Sequence, residues 1–100
     1  MKAYKHLVKF ALAQNHIVSV WDGGEWQVKR SSSYKAIIEA IESVEAANLV
    51  IRNSQGDKVG WAMVMAFGLE DDETVADYTV TNFMNEWEAA YKLSMVKKYA

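Results

Sequence analysis

Apolar residues return at helical spacing at Tyr4, Leu7, Val8 and Ala11, with Phe10 widening the stripe, so the stretch from Lys2 to Gln14 predicts an amphipathic helix. Asn15 suits its C-terminal end because asparagine tolerates the left-handed backbone conformation. The period then changes. Ile17 to Trp21 and Trp26 to Arg30 are β-rich runs on either side of Asp22-Gly23-Gly24-Glu25, the pattern of a hairpin. A two-residue turn at the glycines places Trp21 opposite Trp26, a cross-strand pair contributing up to about 1 kcal/mol.

Three serines, 31 to 33, offer a cap for a second helix, in which Tyr34, Ile37, Ile38, Ile41 and Val44 form one stripe and Lys35, Glu39 and Glu42 lie outside it. A second hairpin runs from Asn48–Arg52 through Asn53–Asp57 to Val59–Met65. Its later arm is apolar at nearly every position, as in a strand buried on both faces or central in a sheet. Gly60 inside that arm predicts a bulge or a close approach by another element. Asp71 or Asp72 is expected to cap a short helical turn in which Val75 and Tyr78 share a face. Thr79 or Thr81 is expected to cap a last helix with a stripe of Val80, Phe83, Met84, Trp87, Tyr91 and Met95, and Lys97 and Lys98 complement its dipole. The fold class is α+β, one domain over residues 1–100. Its four-stranded antiparallel sheet of two hairpins with three helices follows the order α-ββ-α-ββ-α, and the other sheet face stays open. The expected core includes Ile37, Ile41, Trp61, Phe83 and Trp87.

Composition narrows function more than it names it. The 100 residues contain no proline and no cysteine, which removes thiolate nucleophiles, disulfides and cysteine-held zinc. Without a leader-like N-terminus or an apolar run long enough for a bilayer, the expected location is the cytoplasm, with no membrane partner. The net charge of −2 conceals an asymmetry. Residues 1–60 carry eight basic and six acidic side chains, whereas residues 61–91 carry Glu70, Asp71, Asp72, Glu73, Asp77, Glu86 and Glu88 and no Lys or Arg.

No phosphate-cradling glycine loop is present, so no cofactor is expected, and no catalytic constellation emerges. His6 and His16 stand ten residues apart, about 15 Å along a helix, and are expected to be solvated or capping. Ser31 to Ser33 lack a base beside them. The cluster Glu70, Asp71, Asp72, Glu73 and Asp77 does not match the calcium-loop spacing and reads as a solvated surface, a candidate contact for a basic partner. With Glu86 and Glu88 it also offers a row of charge that imitates the phosphates of DNA. Trp21 and Trp26 beside Lys29 and Arg30 combine stacking surfaces with cations, the best candidate for contact with single-stranded nucleic acid.

The stretches Tyr34–Val44 running into Leu49–Arg52, and Gly60–Val64 followed by Asp72–Tyr78, resemble small uncharacterised proteins of tailed bacteriophages over roughly residues 17–91. That resemblance implies a setting, an infected bacterium's cytoplasm, and no site residues. The expectation is a non-enzymatic accessory module that binds a host protein or its own copy as a homodimer. The alternative is a small single-stranded nucleic-acid-binding domain using the Trp21/Trp26 hairpin.

Overall fold

The computed structural model describes residues 1–67 and 70–99, with side chains as far as Val96. Helix α1 spans Ala3–Ala13, strands β1 and β2 span Ile17–Trp21 and Trp26–Ser31, and helix α2 spans Tyr34–Glu42. Strands β3 and β4 follow at Ala47–Arg52 and Lys58–Val64. A 3-10 turn at Asp71–Thr74 leads into β5, Val75–Tyr78, and helix α3 closes the fold over Asn82–Tyr99. The sheet is antiparallel with the order β2-β1-β3-β4-β5. It therefore has five strands rather than the expected four.

The helix boundaries follow the local chemistry. Asn15 takes φ 62, and the amides of Asn15 and His16 bond to the Leu12 and Ala11 carbonyls, which closes α1 with a Schellman motif. Ser33 accepts a hydrogen bond from the Ala36 amide at the start of α2. Thr81 accepts from the Met84 amide at the start of α3, and its hydroxyl donates to the Val59 carbonyl, tying that helix to β4. Val80 lies before the helix and is exposed, so it leaves the expected stripe. Lys97 and Lys98 have side chains outside the described residues.

Burial alternates along the central strands. Ala47, Leu49 and Ile51 of β3 and Gly60, Ala62 and Val64 of β4 are buried, while their neighbours on each strand are half-exposed. Tyr4, Leu7 and Val8 of α1, Ile37 and Ile41 of α2, and Met84 of α3 fill the same core as the buried strand residues. All three helices thus cover one face, and fully burying each Leu or Ile there contributes roughly 1.5–3 kcal/mol. The Tyr4 hydroxyl donates to the Glu42 carboxylate, joining α1 to α2 at the core's margin.

The expected helical turn is confined to Asp71–Thr74, with Glu70 rather than Asp71 or Asp72 at its cap position and no side-chain cap, and strand β5 takes Val75 to Tyr78 instead. The two residues do share a face, because a bulge intervenes: Met63 pairs with Asp77, but Val64 pairs with Val75. The extra residue resets the alternation, so Val75 is buried and Tyr78 packs edge-on against Trp87. Gly60 answers both expectations for it. A bulge lies beside it where Ile51 pairs with Gly60 and Arg52 with Lys58. A Cβ at Gly60 would also stand 2.7 Å from Met84 Sδ.

Candidate functional site on the helix-free sheet face

The strand positions that point away from the helices place Trp21, Trp26, Asn48, Val50, Trp61 and Met63 on one surface. The first hairpin sets its aromatic corner. Gly23 takes φ 101, and Asp22 Oδ1 accepts the Gly24 and Glu25 amides at 2.8 and 2.7 Å while Oδ2 accepts from Gln27. These bonds, backbone ones first, hold the Asp22 carboxyl below the usual carboxylate range. Trp21 lies opposite Trp26 as expected, and the rings meet edge to face at 4.9 Å and 64°.

A shallow depression of about 410 Å³ opens between this pair and the middle of the sheet, lined by Trp21, Trp26, Asn48, Val50 and Trp61. The Asn48 amide donates to the Trp21 carbonyl at 3.3 Å, which fixes one wall. None of the five lining side chains is an acid, a base or an activated nucleophile. The depression offers contact and hydrogen bonding, not proton transfer.

Cations gather at the other end of the strands. Arg52 Nη1 donates to the Gly56 carbonyl at 2.9 Å, and Arg30 Nη1 lies 3.8 Å from where a Cβ on Gly56 would stand. Arg30 reaches there from a bulge: it takes φ 46, and its amide donates to Ser19 Oγ. Among the described residues the one ion pair is Lys92 with Glu88, so neither guanidinium has a carboxylate partner. Lys29 is exposed on the same edge strand.

Both sheet edges are blunted. Two register shifts interrupt β2, and on β5 the Tyr78 amide donates to the Asp77 carboxylate rather than waiting for another strand. The helix-free face, not an edge, is the accessible surface of the sheet.

Several sequence-based expectations change place. Trp61 is half-exposed on this face and not in the core, whereas Ile37, Ile41, Phe83 and Trp87 are buried. The acidic residues separate: Glu70 and the turn Asp71–Glu73 lie beside α1, while Asp77 pairs with Met63 on β5. Glu88 on α3 accepts from Lys92 and from Tyr78, which in that order lower its pKa, while the bond to Glu88, and burial after it, push the Tyr78 hydroxyl up to about 12. The histidines are half-buried, and neither side chain caps a helix. His6 packs between Phe10 and Tyr91, His16 packs on Phe83, and each Nδ1 is buried without a partner.

Asn48, Val50 and Arg52 were not expected at the site. Their signal was the alternation of β3 itself, which turns every second residue away from the helices. Among the described residues no three His, Asp or Glu side chains converge as a cation site, and no helix is long and apolar enough to cross a membrane. No family model, curated protein or solved structure matches the chain.

Proposed function

We propose that the chain is a non-enzymatic protein-binding module whose docking surface is the helix-free face of the sheet. The observation that carries this reading is the depression walled by three tryptophans around Val50. Tryptophan, methionine and arginine are the side chains enriched at protein interfaces, and a central aromatic cluster is the usual energetic focus of one. A bacteriophage accessory product of this size would use such a face to engage a host protein or its own copy. The test places a photo-crosslinking phenylalanine analogue at position 61, and in a second variant at exposed Val96 on α3, in bacterial cells. Protein adducts should form from position 61 and not from 96. Adducts from 96 alone, or from neither, would overturn the reading.

A second reading has one observation in its favour, the guanidinia of Arg30 and Arg52, which have no carboxylate partner and stand on the same face as the aromatic surface, at its far end. Single-stranded nucleic acid binds such surfaces by stacking, about 1–3 kcal/mol per base, with the cations on phosphates. Titration with oligothymidylate at low salt, followed by tryptophan fluorescence, decides it, since low salt favours those contacts most. An unchanged signal rejects nucleic acid.

A further inference from the structure

We infer that the occupant of the helix-free face is a second copy of this chain, paired face to face about a two-fold axis that runs across the strands. The inference rests on the docking reading above and names its partner.

The face is ordered along the strands. At one end stand Arg30 and Arg52, both near Gly56. At the other stand the Trp21–Trp26 pair and, across Asn48 and Met63 in the same row, Asp77. Midway lie Val50 and Trp61, paired with each other. A two-fold axis across the strands exchanges the two ends. Such an axis keeps each strand over its own copy, so Arg52 of β3 comes over the partner's Asn48, with its Trp21 one strand to one side and its Asp77 two strands to the other, and the apolar middle faces its own copy.

Two features of that match are attractive. Guanidinium over indole is the favourable cation–π arrangement, and it strengthens when water is excluded. The carboxylate of Asp77 adds opposite charge at the end where the partner's guanidinia arrive. Two unpaired arginines are otherwise left on a face that already exposes three tryptophans, and one symmetric contact resolves both features. Isologous pairing of this kind closes at two copies and leaves no further sticky surface. Antiparallel sheets stack this way about 10 Å apart with side chains interdigitating. The blunted edges remove the competing route, strand addition to β2 or β5.

Val50 sits midway along β3, the middle strand of five, so the axis passes close to it. That position gives a symmetric test. By sedimentation equilibrium at micromolar protein, the wild type should be a dimer. Val50→Glu and Val50→Arg should each be folded monomers, because two like charges meet at the axis. An equimolar mixture of the two variants should restore the dimer, since the heterodimer places opposite charges there. Arg52→Glu, an outward change that spares the core, should weaken dimerisation several-fold without unfolding.

A monomeric wild type overturns the inference, and so does a dimer that survives both Val50 variants or a mixture that stays monomeric. A monomer that crosslinks a foreign protein through position 61 overturns the self-pairing and leaves the docking face standing. A monomer whose tryptophans are quenched by oligothymidylate overturns both.

Discussion

Leu49 and Val50 are neighbours on one strand and live in different solvents. Leu49 is fully buried under the helices, and Val50 floors an open depression on the other side of the sheet. Their surroundings differ in kind as well as in burial. The covered face is built from Val18, Val20, Leu49, Ile51, Ala62 and Val64, compact aliphatic side chains that fill an interior without polar ends. The open face is built from Trp21, Trp26, Asn48, Arg52, Trp61 and Met63, which can stand in water and still be buried by a partner. One face is filled by compact aliphatic side chains, and the other carries large side chains with polar ends that water can reach.

The sharpest way to break that comparison is to truncate both residues. Leu49→Ala should cost about 2–5 kcal/mol, the range for a fully buried leucine that leaves a cavity. Val50→Ala should cost well under that, with the loss falling instead on association. Urea titrations of the two variants measure the difference. Equal losses would mean that the open face is a core surface in its own right.

Gly60 probes the covered face from the opposite direction, by adding volume rather than removing it. A Cβ there would meet Met84 at 2.7 Å from Sδ and 2.9 Å from Cγ. Gly60→Ala should therefore cost about 1–3 kcal/mol by overpacking. The loss should be smaller in a Met84→Ala background, because residues in contact do not contribute additively. Additive losses in a double-mutant cycle would show that α3 does not seat against β4 at this point.

The parts of this architecture that were legible in the sequence are those whose signal is local. Helical stripes marked α1 and α2, the serine run 31 to 33 and Asn15 marked their ends, and Gly23-Gly24 between two β-rich runs marked the first hairpin and its tryptophan pair. The parts that were not legible depend on pairing across the sheet. Val75-Ala76-Asp77-Tyr78 contains two poor strand formers and becomes β5 only because β4 offers a free edge and a bulge absorbs the misfit. Trp61 was misplaced because an almost wholly apolar arm conceals its own alternation. Asn48, Val50 and Arg52 acquired meaning only when β3 was set between β1 and β4. The histidines failed for a related reason: nothing near His6 in sequence announces Tyr91, which reaches it from the last helix.

That histidine supplies the smallest expected effect, and it separates the two faces by pH. His6 lies on the helix side, with Phe10 of its own helix, Tyr91 of α3 and the chain's amino terminus as the groups bearing on it. Burial first, and the amino terminus second, lower its pKa below the ordinary 6.5. A histidine with a lowered folded pKa binds its proton less readily in the native state than in the unfolded chain. Its contribution to stability is therefore constant above 6.5 and declines as pH falls from there through the folded value. Below that, no further loss comes from this group. The open-face depression, lined by Trp, Asn and Val, has no titrating side chain to match it. Thermal unfolding followed between neutral pH and the onset of carboxylate titration should show a gentle fall in Tm, and His6→Phe should flatten it. An undiminished slope in His6→Phe would assign the pH response to another group and take His6 out of the account of the α1–α3 contact.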